Sequence, residues 1–334
     1  MVSSDKDQME PKVEHVESPS ARGRPGFGTR LMRHYKKFWW LHLIIFIAIF
    51  LIITLPLIYV GFPNIAQSNV NDSGLEIDSM VLSDPTPNSF HLHQEGAITS
   101  DSTYHPKLDS FNVSLFIADG SPNPTTFAYV EQPSVQSGSH VPITIDETVQ
   151  IADLDEFTKY SVTVMNSEEY QLGVSGRMGL HEGKFPATTV DYNKVVTLKG
   201  LNKLKGFNVT SFKILGKADP DGANMLGTVY IPNASIMTLV MGNVTMNLYC
   251  QGDFIGTSLL PDLTLKPGNN TVDMRSTTNQ TLVFSKLSQF KDGIIPIDII
   301  GNSSVYNGQH LTYYEEALKS NEQHIELNLG AASV

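Results

Sequence analysis

Twenty-five consecutive residues, Phe38–Phe62, contain no Asp, Glu, Lys or Arg and a single histidine, His42. About 20 apolar residues cross the hydrocarbon core of a bilayer, so this stretch spans one with some tilt. A core helix of a soluble protein keeps a polar stripe; this one has none. Pro56, near the far end, is tolerated in a membrane helix. The only tryptophans, Trp39 and Trp40, stand at one edge and Tyr59 at the other, where interfacial anchors belong. The stretch is expected to be a transmembrane helix over 38–62.

Its flanks orient it. Arg22, Arg24, Arg30, Arg33, Lys36 and Lys37 precede the span, whereas the first basic residue after it is Lys107. The positive-inside rule then puts the N-terminus in the cytoplasm and residues 63–334 on the other side. The long apolar core and extended cationic lead-in favour a signal-anchor over a cleaved signal peptide. Residues 1–37 hold eight Lys/Arg against five Asp/Glu, and the remainder fifteen against twenty-nine, for a net charge of −11. So acidic a bulk excludes nucleic acid as the main partner.

Asn71, Asn112, Asn208, Asn233, Asn243, Asn269, Asn279 and Asn302 each head an Asn-x-Ser/Thr triplet. These are candidate glycosylation sites for a segment outside the cytosol. A single cysteine, Cys250, excludes an intrachain disulfide, so the fold rests on its core alone.

Residues 1–37 are expected to be a disordered cytoplasmic tail ending in a basic juxtamembrane segment, with Arg30, Arg33, Lys36 and Lys37 against the membrane. Residues 63–88, polar with brief apolar pairs, are expected to be a stalk. From about Phe90 alternating strand patterns dominate: "FNVSLFIA", "HVPITIDETVQI", "YSVTVM", "NVTMNLY", "IPIDII", "HIELNL". Landmarks recur in order. Asn112-Val113-Ser114 matches Asn243-Val244-Thr245 at an offset of 131 residues, Gly138 matches Gly268 at 130, and Gly176 and Gly183 match Gly301 and Gly308 at 125. This is the trace of a tandem duplication, with a first β-sandwich over 89–205 and a second over 206–334. Glu182-Gly183 and Asn307-Gly308 are expected to be two-residue hairpin turns. Asp153 followed by Glu156 fits a helix cap, with Leu154, Phe157 and Tyr160 at helical spacing. The matching part of the second copy is "FSKLSQFKDG". The fold class is mainly β: one N-terminal transmembrane helix, then two antiparallel β-sandwiches, each with a short helix.

The ordered segments "FHLHQEGAITS", "FNVSLFIA", "QPSVQSGSHVPITI", "IADLDEFTKY" and "LGVSGRMGL", and "GTVYIPNASIMTLVMGNVTMNLYCQGDFIG" in the second copy, are similar to the late embryogenesis abundant type-two domain. The chain also resembles a fungal group of membrane proteins with one N-terminal span and two such domains. The resemblance covers about residues 65–330 and rests on packing and turn features. It implies small sandwiches with an apolar groove between sheet and helix that holds lipid, in a vacuolar or other endomembrane lumen, with the plasma membrane as the alternative.

Candidate chemistry is sparse. His91 and His93 share one strand face at a spacing that can chelate zinc, with His105 as a distant third, but no carboxylate or thiol is spaced to complete a set. Asp219 and Asp221 in "ADPDGAN" suit a turn better than a calcium loop. Asp153, Asp155 and Glu156 are accounted for by capping. Cys250, with no histidine placed beside it, is expected to be a packed thiol. No catalytic constellation, cofactor or metal is expected. The partners implied are the bilayer through one helix and, for the folded region, an acyl-chain lipid or a protein. The alternative role is a glycosylated, wall-facing spacer.

Overall fold

The first element is helical: α1 (Phe27–Pro56), a π-turn over Leu57–Gly61, and α2 (Phe62–Asp72). These come from a computed structural model that describes residues 27–290 and 293–328. Among the described residues one helix is long and apolar enough to cross a membrane, and none of its apolar window is buried within the protein. The chain divides into two compact units between Leu57 and Ile58.

In the first unit α1 has a break in helical geometry at Phe38, where the basic lead-in meets the apolar run. Residues 27–37 are therefore helix, not the disordered tail expected. Lys, Arg, Leu and Met are all good helix formers, and no proline stands between Phe27 and Pro56. Residues 1–26, including Arg22 and Arg24, lie outside the described residues. At Pro56 the missing N–H is absorbed by the π-turn that follows.

The second unit, from Ile58, is mainly β. Its first half contributes β1 (Gly74–Ser83), β2 (Ser89–Thr99), β3 (Lys107–Leu108), β4 (Phe111–Ile117), β5 (Ala128–Gln132) and β6 (Val135–Gln136). There follow β7 (His140–Gln150), α3 (Leu154–Asn166), β8 (Glu169–His181) and β9 (Thr188–Lys199). The second half has β10 (Asn208–Ile214), β11 (Met225–Asn233), β12 (Met237–Cys250), β13 (Asp253–Leu265) and β14 (Gly268–Thr278). It closes with α4 (Gln280–Leu287), β15 (Ile294–Tyr306), β16 (Gln309–His310), α5 (Thr312–Lys319) and β17 (Glu322–Asn328).

The pairing order repeats. In the first half β1 pairs β2 and β2 pairs β7, while β4 pairs β5 and β8, and β8 pairs β9. In the second β10 pairs β11 and β11 pairs β14, while β12 pairs β13 and β15, and β15 pairs β17. Two of the repeated glycines sit at close approaches, though against different elements. A Cβ at Gly176 would meet the Asn112 carbonyl and the Phe111 ring, and one at Gly301 would meet Leu318 of α5. Asn307 and Gly308 both have positive φ in a two-residue turn, as expected. The β8–β9 connection is longer than expected, running over residues 182–187, and Pro186 keeps that stretch out of the ladder.

One expectation about boundaries gives way. Residues 63–88 are not a stalk: they hold most of α2 and all of β1, which lies inside a sheet. β1 shifts register between Ile77 and Ser79, so its inward positions change from odd to even, ending at Met80 and Leu82. That bulge breaks the alternation a sequence pattern needs. β1 also runs parallel to the start of β12, with Met80 opposite Met237 and Leu82 opposite Leu239, so one sheet passes through both halves.

Candidate functional site: an apolar space beneath a short helix

Each strand of the second half turns alternate side chains inwards. Met246 and Leu248 of β12, Met274 and Ser276 of β14, Ile295, Ile297 and Ile299 of β15, and Ile325 and Leu327 of β17 all face one space. Val209 and Ile214 of β10 complete it. β10 and β17 are therefore brought round to the same cavity without a hydrogen-bonded ladder between them among the described residues.

α4 closes the space with Gln280, Val283 and Phe284. Its N-cap is Asn279, whose Oδ1 accepts the Leu282 N–H at 3.1 Å. None of its residues is fully buried, and Phe284 is 51% exposed. The free volume of this space is about 50 Å³, well below the roughly 300–1,000 Å³ of typical ligand sites, so a chain-like ligand fits only if α4 lifts.

The wall is apolar in effect as well as in composition. Ser276 Oγ donates to Ser258 Oγ at 3.0 Å. Thr278 Oγ1 donates to Asn224 Oδ1 at 3.0 Å, and Gln280 Nε2 to the Asn224 carbonyl at 3.4 Å. No titratable side chain lines the space. Among the described residues, the buried polar atoms without a protein partner, Gln132 Nε2, Glu182 Oε2 and Tyr192 Oη, belong to residues outside its wall. Such a wall rewards apolar surface and offers nothing to a charged group.

The residues singled out from sequence are scattered. His91 and His93 do acquire a carboxylate: Asp146 on the paired strand β7 accepts from His91 Nε2 and from His93 Nδ1, each at 2.9 Å. The hydrogen bond from His93 is the main reason the Asp146 carboxyl sits below its ordinary value. The sequence could not show this partner, because it arrives through strand pairing from 53 residues away. Asp219 and Asp221 hold Arg275 at 2.7 and 2.8 Å, which closes the turn and lowers the Asp221 carboxyl. Asp153 caps α3 by accepting the Glu156 N–H at 3.0 Å. Cys250 is buried, and burial pushes its thiol up. A set not singled out from sequence, Asp298, Glu322 and His324, brings three potential metal-ligating atoms within 4.8 Å of one another. Its closest contact is His324 Nδ1 to Asp298 Oδ1 at 2.7 Å, on a largely exposed strand face.

Of the eight glycosylation candidates, Asn71, Asn112, Asn208, Asn243, Asn269, Asn279 and Asn302 are exposed. Asn233 is buried. Its Nδ2 donates to the Met237 carbonyl and its Oδ1 accepts from Ser235 N–H and Oγ–H, so a glycan there requires the turn to open. Arg30, Arg33, Lys36 and Lys37 lie on α1, ahead of or just before its break at Phe38.

Residues 125–248, from just before β5 to near the end of β12, match the family described as "Protein of unknown function (DUF3712)". No curated protein matches the sequence. Among solved structures, the chain is similar to a red sea bream transglutaminase at 10% identity, over 76% of this chain and 31% of that one, with a TM-score of 0.24. A Mobiluncus mulieris adhesin with intramolecular cross-links matches at 9% identity, over 69% of this chain and 80% of the adhesin, with a TM-score of 0.22. The periplasmic chaperone SfaE matches at 10% identity, over 76% and 98%, with a TM-score of 0.19.

Proposed function

We propose that this chain is a non-enzymatic, type II single-pass membrane protein whose β unit holds an apolar, acyl-chain ligand beneath α4. The observation that carries the reading is the cavity wall, apolar apart from Ser258, Ser276, Thr278 and Gln280, each of which makes a hydrogen bond within the protein. The resemblance to the late embryogenesis abundant type-two domain supports a lipid as the ligand and an endomembrane such as the vacuole as the site. The cation bias before the span supports a cytoplasmic N-terminus and a lumenal β unit. Against a catalytic role stand the pairings of the candidate groups: Asp219 and Asp221 close a turn, Asp153 caps a helix, and Asp146 holds both His91 and His93.

The test is to purify the full chain from membranes and to measure bound acyl chains by solvent extraction and mass spectrometry. Val283→Trp, which puts an indole into the space under α4, serves as the comparison. The expected result is recovery from the wild type and a loss of about tenfold in the variant, the effect of roughly 1.4 kcal/mol. Equal recovery from both would place any lipid elsewhere, for instance on the apolar helix, and would end the proposal. The second reading is a glycosylated spacer facing a wall, which the seven exposed triplets favour.

A further inference from the structure

The β8–β9 connection ends in an exposed apolar side chain that has found a partner. Phe185, 49% exposed, stacks on Phe62 of α2 with ring centroids 5.0 Å apart and planes 13° from parallel. Phe62 is the last residue of the apolar segment Phe38–Phe62. Around this pair Tyr59, Val60 and Ile65 are also exposed. Beside Phe185, Lys184 offers an exposed cation.

The connection cannot swing freely away from α2, because the next strand is tied to that helix. The Gln67 amide pairs with both main-chain groups of Asp191, donating to its carbonyl and accepting its N–H, each at 2.8 Å. The Lys194 ammonium donates to the carbonyls of Val70 and Asn71 at 2.6 and 3.1 Å, and also to that of Ser73. Gln67 and Lys194 thus fix β9 against the middle and the C-terminal end of α2, and the connection leading into β9 meets the start of that helix at Phe62.

We infer that the tip of the β8–β9 connection is a second membrane contact, with Phe185 lying beside Phe62 in the interfacial layer and Lys184 reaching the headgroups. The inference rests on reading 38–62 as a bilayer span. From Phe38, about 20 residues of helix cross the hydrocarbon core, so the chain leaves it near Leu57 and Tyr59–Phe62 fall in the interface. Whatever stacks on Phe62 lies at that depth. Aromatic rings at the interface and lysines reaching outwards from it are the groups this layer stabilises. The same layer removes a cluster of exposed apolar side chains from water. Its occupant is the membrane that holds α1, since Phe62 is continuous with that span.

The test uses the full chain in phosphatidylcholine vesicles brominated near the headgroup end of the acyl chains. In the wild type the only tryptophans are Trp39 and Trp40, so quenching of their fluorescence reports the span itself. In the triple variant Trp39→Phe, Trp40→Phe, Phe185→Trp the only indole is at the tip. The expected result is that bromination lowers its emission by about twofold, as for an interfacial indole. Quenching of Trp39 and Trp40 without quenching at position 185 overturns the tip contact and leaves the span standing. No quenching in the wild type overturns the span, and the tip contact falls with it. A carbene-generating phospholipid, activated with the unsubstituted chain, gives a second reading that needs no variant. Label on 182–187 as well as on 38–62 supports the contact, and label confined to 38–62 refutes it.

Discussion

The two halves of the β unit share a strand-pairing order and differ in the helix laid over it. In the first, α3 has 13 residues and buries Phe157, Tyr160, Ser161, Val164 and Met165. Phe157 stacks on Phe90, meets Phe127 and Tyr160, and takes an edge-to-face contact from Tyr313 of α5. In the second half α4 has 8 residues and buries none, and the space below it stays open. Buried aromatic rings on a long helix make a plug; Val283 and the half-exposed Phe284 on a short one make a cover. The same topology thus leaves about 20 Å³ free beside α3 and about 50 Å³ beneath α4, and the helix laid over the strands sets the difference.

The largest difference is expected from truncation. Phe157→Ala should destabilise the fold by about 3–5 kcal/mol, the range for emptying a packed aromatic site. Phe284→Ala should cost under about 1 kcal/mol, since half of that ring is already in water. Thermal unfolding of the full chain in detergent, followed by circular dichroism, compares them; equal losses would break the contrast. Next come the matched glycines. Gly176→Ala and Gly301→Ala should each cost roughly 1–3 kcal/mol, because the added methyl meets fixed neighbours in both halves. A large cost at one and none at the other would undo the equivalence of the strand frameworks.

The caps sharpen the comparison further. Asp153→Ala should lower global stability by about 1 kcal/mol. Asn279→Ala should leave global stability nearly unchanged and speed amide exchange across 280–287 by roughly fivefold, because α4 opens locally. The smallest effects concern pH, with opposite signs in the two halves. His324 is raised above its ordinary 6.5, chiefly by its hydrogen bond to Asp298, so its contribution is fully present below that value and fades as pH rises through the higher folded value. Asp146 is held below its ordinary 3.8, so its contribution is present above that value and is lost as pH falls through the lower folded value. His324→Gln should flatten the melting temperature between pH 5.5 and 8 without altering its acid limb, and Asp146→Asn should do the reverse.

What the sequence made legible follows from what is local. The apolar span, the Asp153 cap, the Asn307-Gly308 turn and the repeated glycines each depend on a few neighbouring residues. The order of landmarks also placed "FSKLSQFKDG" opposite the first half's helix, but α4 begins four residues earlier and takes in only residues 284–287 of it. Three things were not local. β1 hid behind its bulge at Asp78. The parallel pairing of Met80 with Met237 joins strands far apart in the chain. Asp146 meets His91 and His93 only through the β2–β7 register. The cavity had a faint signal, the flexible Met225, Met246 and Met274 together with the alternating isoleucines of β15, but an inward-facing apolar residue reads the same whether it touches a neighbour or a void.

The central claim is that the second half, and not the first, takes an apolar chain. The most direct measurement is photo-cross-linking of the full chain with a diazirine-bearing fatty acid, mapped by peptide mass spectrometry. The expected result is adducts within 280–287 and 294–306 that excess unlabelled fatty acid removes, with none within 154–181. Competable adducts on α3 and β8 at the same level, or adducts in neither half while the apolar helix is labelled, would contradict it.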